Sequence, residues 1–282
     1  MPKKKSKKPI EIEVIGGSSG STDLDDSWKY KAEAEPKSNG LKGLIAIGWA
    51  LWIVAVFIII AFVSAITLLA LRHYGILEDK LTTVQTFVIE AFMYAAMFIV
   101  AIILPLNIRR NSTRNKVETS TLTFIREMVG LKRWPKWVDL KYYLANLPVY
   151  YITVLVGSII VAAAVGSEVM SQEQAIGYAA TGNTSELIII FVALVLVAPF
   201  FEELLMRGFL YGKLRSLISM WPAAIIVSLM FAAAHGQLNV GIMTFILSMF
   251  SCRMREKTGA VWAPIMLHMT VNFVAFSLRF LG

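Results

Sequence analysis

Residues 187–206 have the sequence LIIIFVALVLVAPFFEELLM, and this stretch decides the fold. An α-helix needs roughly 20 consecutive apolar residues to cross the hydrocarbon core of a bilayer. The stretch has that length and composition, so it predicts a membrane-spanning helix. It also contains Glu202 and Glu203. Ionisable side chains are costly at membrane depth, and these two therefore indicate a functional site that lines a polar cavity.

The composition of the whole chain is that of an integral membrane protein. Hydrophobic residues make up 57% of the sequence and charged residues 16%, whereas an ordinary soluble domain has about 25% charged residues. Strand-like alternation is absent, and a segment in lipid must satisfy its own backbone hydrogen bonds, so helices are expected. We predict an all-α, polytopic transmembrane helix bundle of seven or eight spans. The seven predicted spans are 43–71, 84–106, 147–166, 187–206 with a helical continuation to 217, 221–236, 239–253 and 260–280.

Three regions of different composition divide the chain. Residues 1–40 carry a lysine cluster, a Gly/Ser run and too few apolar residues to pack a core, which predicts a disordered tail. No signal-peptide-like apolar segment precedes residue 41, so no cleavage is expected. Residues 41–145 are predicted to hold the first membrane helices and a basic, aromatic-rich interfacial segment. Residues 146–282 are predicted to form the catalytic helix bundle.

The distribution of charge predicts the orientation in the membrane. The formal net charge is +8, but most of the excess lies in loops beside apolar segments, where it contacts anionic lipid; the lipid bilayer, and not nucleic acid, is the expected partner. The tail and the basic 107–145 stretch are predicted to be cytoplasmic, and the 167–186 connection, which has no Lys or Arg, to lie outside. The N-terminus is therefore expected inside a cell membrane. An eighth span within 117–145 would reverse the predicted membrane orientation of every segment that follows it.

Three short polar motifs interrupt the apolar segments near the end of the chain: Glu202-Glu203-Leu204-Leu205-Met206-Arg207, Phe231 to His235, and His268 to Asn272. Glu203 and Arg207 stand four apart on one helix, so they share a face and can form an ion pair. Glu202 points about 100° away and has no adjacent cation, which suits a general base. Pro199 removes a backbone hydrogen bond and opens the preceding turn, where water can enter. The alternative interpretation is that Glu202, Glu203 and Arg207 form the charged, solvated end of a helix just past a shorter span.

Helical spacing tests whether these motifs can meet. Glu202 and His235 lie at similar heights, each about 24–26 Å from a turn near Ile218 at 1.5 Å per residue. His268 and Asn272 share a face but lie only about 12–18 Å from the turn before their helix, so tilt or a broken helix must bring them to the same level. Glu90 is a separate intramembrane carboxylate. It is expected to have a partner on another helix or to line a polar cavity wall.

The order of EExxxR, FxxxH and HxxxN on successive membrane helices resembles the type II CAAX prenyl endopeptidases and their bacterial relatives, the CPBP or Abi family of intramembrane proteases. The resemblance covers about residues 147–280. It implies an eight-helix fold and hydrolysis of peptide bonds without a cofactor, in a peptide or protein substrate that is membrane-associated or lipidated. Carried to this chain, it implies that Glu202 activates water, His235 holds it, and His268 with Asn272 stabilises the oxyanion. Glu203 and Arg207 support the site.

Other functions remain open at the level of sequence. Zinc bound by Glu202, His235 and His268 is a second hydrolytic chemistry, because imidazole and carboxylate suit zinc, although no HExxH pattern is present. The single cysteine, Cys252, excludes a cysteine-based cluster and is interpreted as a packing residue. A non-proteolytic scaffold, a bacteriocin-immunity protein or a proton-coupled transporter would also carry intramembrane Glu and His. No internal duplication favours the transporter.

Overall fold

A computed structural model describes residues 40–78, 80–105, 121–174, 176–179 and 183–282. The described residues are helical and contain no strand, which confirms the all-α class. The predicted tail lies outside them, except for Gly40, the first residue of α1. The helices are, in order, α1 (Gly40–His73), α2 (Thr83–Ile103), α3 (Thr121–Met128), α4 (Trp137–Val165), α5 (Ser167–Met170), α6 (Thr184–Arg215), α7 (Met220–Ala234), α8 (Leu238–Thr258) and α9 (Trp262–Phe280).

Five of these helices, α1, α2, α4, α6 and α9, are long and apolar enough to cross a membrane. Helix α7 is apolar but has 15 residues, and α8 has 21 residues but ends in the charged sequence Arg253 to Lys257. These seven elements correspond to the seven predicted spans. The eighth span suggested within 117–145 is not found in the described part of that range, because α3 has only 8 residues and residues 137–145 belong to α4.

Helix α4 begins ten residues earlier than its predicted span, and a buried carboxylate explains why. The Asp139 side chain accepts a hydrogen bond from the backbone N–H of Lys136 at 2.8 Å and also binds the guanidinium of Arg133. A negative charge in the first turn stabilises a helix through its dipole. Residues 137–145, predicted to belong to the interfacial segment, thus form the first turns of a long helix.

Helix α6 occupies the centre of the bundle, and its residues Leu204–Leu210, a π-helical stretch, are all buried. Gly208 lies on this stretch, and a Cβ atom added there would sit 2.1 Å from the carbonyl oxygen of Val129. Only glycine permits this contact, because any side chain would displace the backbone that follows α3. The loop after α3 is thereby held against the middle of the bundle.

The same loop supports the start of α9. The N–H of Val261 donates to the carbonyl of Gly130 at 3.3 Å, and the indole of Trp262 donates to the carbonyl of Arg133 at 2.7 Å. Ala260 and Val261 are fully buried. Helix α9 therefore begins inside the protein and not at its surface.

Candidate active site

A buried ionic cluster forms the base of the site. The guanidinium Nη1 of Arg207 lies 3.0 Å from Oε1 of Glu203, and both side chains are fully buried. The same oxygen lies 2.9 Å from Nδ1 of His268. An ionised carboxylate only accepts hydrogen bonds, so Nδ1 carries the proton that is donated. The ion pair predicted between Glu203 and Arg207 is present, and it also fixes the orientation of the His268 ring.

The aromatic ring of Phe231 completes this cluster. The guanidinium carbon of Arg207 lies 4.4 Å from the centre of the ring, within the range of a cation–π contact. The His268 ring packs edge-on against the same ring at 5.7 Å. The phenylalanine of the FxxxH motif thus covers the buried arginine and holds the histidine from the side.

Glu202 faces the other way, as its angular position on the helix predicts. Its side chain is 24% exposed and lines a cavity of about 690 Å³. The hydroxyl of Tyr94, on α2, donates to its Oε1 at 2.8 Å. Its Oε2 lies 3.7 Å from Nε2 of His268, which is too long for a direct hydrogen bond. The Glu203 carboxylate is thus held in the core by its ionic partners, whereas the Glu202 carboxylate is accessible to a ligand in the cavity.

His235 ends α7 and faces the same cavity. Its Nδ1 lies 2.8 Å from the carbonyl oxygen of Phe231, one turn earlier. A carbonyl only accepts, so Nδ1 donates, and in the neutral ring Nε2 keeps its lone pair for another donor. The histidine therefore caps its helix and still presents one ring nitrogen to the cavity.

Asn272 compensates for the proline in α6. The backbone before Pro199 is π-helical over Val192–Val197, and the N–H of Ala198 bonds to the carbonyl of Ala193, five residues back. The next bond in this series would join residue 199 to Leu194, but proline has no N–H. The side-chain amide of Asn272 donates to the Leu194 carbonyl instead, at 2.8 Å. The turn before Pro199 is thus open, as predicted, and α9 supplies the missing donor.

The structure brings the predicted site residues together. Glu202, His235, His268 and Asn272 all line the cavity, and Glu203 and Arg207 lie behind it. His268 reaches both glutamates, at 2.9 Å from Glu203 and 3.7 Å from Glu202, so the difference in level expected from counting residues along each helix does not keep them apart.

The site also contains residues that the sequence motifs did not indicate. Tyr94 is one, and its only signal in the sequence is its position four residues after Glu90 in an apolar span. Glu90 lines the cavity and accepts a hydrogen bond from the hydroxyl of Tyr178 at 2.7 Å. Glu90 thus lies in the cavity wall, as one interpretation predicted. It also has a hydrogen-bond partner, as the other predicted, but that partner lies in a loop and not on another helix. Burial, with the hydrogen bond and charge of Glu90, raises the pKa of Tyr178 above its ordinary value.

The loop that follows α5 crosses this end of the bundle. The side-chain amides of Asn239 and Gln237, at the start of α8, donate to the carbonyls of Gln172 and Glu173 at 2.6 and 3.0 Å. Arg279, near the end of α9, donates to the carbonyl of Gln174 at 3.0 Å. With Tyr178 bound to α2, the loop is tied to three helices and forms one wall of the cavity.

The side chains of the described residues do not form a ready metal site. No group of three His, Cys, Asp or Glu residues among them has an arrangement that could hold a metal ion. Of the residues considered for zinc, Glu202 and His268 are 3.7 Å apart, and His235 has Nδ1 on a backbone carbonyl, which leaves Nε2 for a ligand in the cavity. Chelation and elemental analysis test the zinc hypothesis.

Comparison with known proteins agrees with this geometry. Residues 184–274 match the family described as type II CAAX prenyl endopeptidase Rce1-like, and this range contains all three polar motifs. About a third of the chain is thus similar to the Rce1-like family. The apolar helices and this similarity point to an integral membrane protein. The chain is 32% identical over 90 residues to an uncharacterized 24.3 kDa protein of Escherichia coli, a match that covers 30% of this chain and 41% of the relative. No solved structure matches.

Proposed function

We propose that this Rce1-like protein is an intramembrane endopeptidase that hydrolyses peptide bonds with a water molecule activated by Glu202. The observation that carries the proposal is the different environment of the two adjacent glutamates. Glu203 is bound to Arg207 and His268 in the core, whereas Glu202 faces the cavity with its Oε2 3.7 Å from Nε2 of His268. A base needs this accessibility, and the histidine beside it needs a fixed ring.

In the proposed reaction, a water molecule near Oε2 of Glu202 gives its proton to that oxygen as the water oxygen attacks the peptide carbonyl carbon. The proton then passes to the leaving amine as the C–N bond breaks, which regenerates the carboxylate. Tyr94 occupies Oε1 and thereby directs Oε2 toward the reacting water. The lone pair of His235 Nε2 accepts a hydrogen bond from the same water. A positioned base of this kind contributes about 10²–10⁴-fold to the rate.

The oxyanion of the tetrahedral intermediate would be stabilised by donors on α9. His268, whose ring is held through Nδ1 by Glu203, would contribute Nε2 as a donor. Asn272 uses one amide N–H for the Leu194 carbonyl and retains a second N–H for the substrate. Both residues are one helical turn apart on the same face, so both can reach one oxygen atom.

The cavity supports a peptide substrate that is largely apolar. Its volume is about 690 Å³, and most of its lining side chains are aliphatic or aromatic, although nearly a third are polar or charged. This is the usual composition of a ligand site. A peptide or protein segment at the membrane, lipidated or not, fits such a lining. The protein would act in the cell membrane with its N-terminus in the cytoplasm, with residues 146–282 as the catalytic bundle.

The proposal is tested by Glu202→Gln, which keeps the size of the side chain and an acceptor for Tyr94 but removes the base. We expect turnover of a peptide library by the purified protein in detergent to fall by at least about 100-fold. Glu168→Gln, an exposed change in α5, is the matched control and should leave turnover unchanged. Full activity of Glu202→Gln would refute the mechanism. A wild-type protein that cleaves no peptide would favour a scaffold, an immunity protein or a transporter.

A further inference from the structure

A second carboxylate, Glu90, lies in the wall of the cavity, and the proposed reaction does not use it. The hydroxyl of Tyr178 donates to its Oε2 at 2.7 Å, and the side chain is only partly buried. A carboxylate has about four lone-pair positions. Its Oε1 therefore has the capacity to accept hydrogen bonds from a ligand in the cavity.

The spacing of Glu90 and Tyr94 along α2 gives the distance between Glu90 and the reacting groups. Tyr94, which donates to Glu202, stands four residues after Glu90 on the same helix face. Four residues correspond to about 6 Å along a helix. An extended peptide advances about 3.3–3.6 Å per residue. A substrate bound at Glu202 would thus pass Glu90 about two residues from the bond to be cleaved.

The charge of the cavity favours a cation at this position. Among the described residues that line it, those with a formal charge are Glu90, Glu202 and Arg279. The guanidinium of Arg279 is engaged by the loop after α5, since its Nη1 donates to the Gln174 carbonyl at 3.0 Å and lies 3.5 Å from a carboxylate oxygen of Glu173. Two carboxylates with apolar walls around them concentrate a negative potential, which attracts cations and repels a substrate carboxylate.

We propose that Glu90 is a specificity residue that selects substrates with a lysine or arginine side chain about two residues from the scissile bond. The inference rests on the proposed function and names the substrate class: an apolar membrane-associated segment that contains a cationic residue near the cleavage point. A peptide whose free C-terminal carboxylate would lie beside Glu90 is a poor substrate. The ammonium or guanidinium group of the substrate would donate to Oε1, and Tyr178 would hold Oε2.

A purely structural role for Glu90 would be to fasten the loop after α5 through Tyr178. Glu90→Gln separates the two roles, because glutamine keeps an acceptor for the Tyr178 hydroxyl and removes only the charge. The substrates are peptides in which a single residue is Lys, Gln or Glu. That residue is the first or the second one on either side of the scissile bond. For wild type we expect kcat/KM to be about tenfold higher for Lys than for Gln at one position, because hydrogen bonds to charged groups are the stronger ones.

In Glu90→Gln this preference should disappear, so that kcat/KM for the Lys peptide becomes equal to kcat/KM for the Gln peptide. Glu168→Gln, which removes an exposed carboxylate outside the cavity, should retain the preference. Lys selection that survives in Glu90→Gln, or wild-type cleavage without any charge preference, would overturn the inference and leave the endopeptidase proposal intact.

A binding measurement makes the test independent of catalysis. Fluorescent Lys and Gln peptides would be titrated into the Glu202→Ala protein and into Glu202→Ala with Glu90→Gln, with anisotropy as the readout. We expect tighter binding of the Lys peptide, by about tenfold, only where Glu90 is present. If wild type cleaves nothing but this binding preference is found, the endopeptidase proposal fails and the cation site stands. Absence of both cleavage and Lys-selective binding overturns both.

Discussion

The hydrogen bond from Asn272 to the Leu194 carbonyl predicts a specific energetic coupling to Pro199. The amide replaces an N–H that the proline lacks, so its removal in Asn272→Ala leaves that carbonyl without a donor. An unpaired backbone acceptor costs about 1–3 kcal/mol in a protein interior, whereas side-chain hydrogen bonds between membrane helices measure about 0.6–1.7 kcal/mol. We expect Asn272→Ala to lower the free energy of unfolding by about 1–2 kcal/mol.

In a Pro199→Ala background the same change should cost less. Alanine at 199 has a backbone N–H that can continue the π-helical series and bond to the Leu194 carbonyl itself. Asn272 is then no longer the only available donor. The double-mutant cycle should therefore give a coupling energy of at least about 0.5 kcal/mol, above the usual error of additivity for independent sites.

The assay is reversible unfolding by SDS in mixed micelles, followed by tryptophan fluorescence, for wild type, both single variants and the double variant. Asn146→Ala is the matched control, because the Asn146 amide also donates to a backbone carbonyl, that of Tyr142 at 2.6 Å, but within its own helix. Its effect should add to that of Pro199→Ala without coupling. If Asn272→Ala costs the same in both backgrounds, the amide does not replace the missing proline N–H, and our explanation of its position is wrong.

Three further predictions concern stability, metal dependence and topology. Glu203→Ala should destabilise the protein by about 3–5 kcal/mol, because it leaves Arg207 charged and buried; an unchanged SDS midpoint would contradict this. Exhaustive chelation should leave peptide cleavage unchanged and elemental analysis should find no stoichiometric zinc, whereas activity that tracks zinc occupancy would favour the metal hypothesis. In a Cys252→Ser protein in intact cells, cysteine at Glu173 should react with an impermeant thiol reagent and cysteine at Trp134 should not; the reverse labelling pattern would invert the predicted orientation.

The parts of the site that the sequence predicted correctly are those set by helical geometry alone. Glu203 and Arg207 are four residues apart, and the helical period of about 3.6 residues per turn determines that they share a face. The same period places Glu202 on a different face from its neighbour. Apolar length identified the spans in the same way. Each of these inferences needs only residues of one continuous helix.

The parts that the sequence did not predict depend on contacts between distant segments. Helix α4 begins at Trp137 because Asp139 meets Arg133, a local capping signal that basic and aromatic neighbours obscured. Tyr94 is an ordinary residue for an apolar helix, and its partner Glu202 is 108 positions away. Without a structure, no spacing rule joins the two residues.

The depth of His268 illustrates why local rules fail at the site itself. Counting residues from the turn assumed that the turn lies at the membrane surface, but Val261 is fully buried and bonded to Gly130. That contact exists because Gly208 lets the loop after α3 approach the central helix. His268 lies 2.9 Å from Glu203, a contact between residues 65 positions apart that no count along one helix could give. The motifs are short, whereas the contacts around them, from Gly208 and from Val261, involve residues that none of the motifs contains.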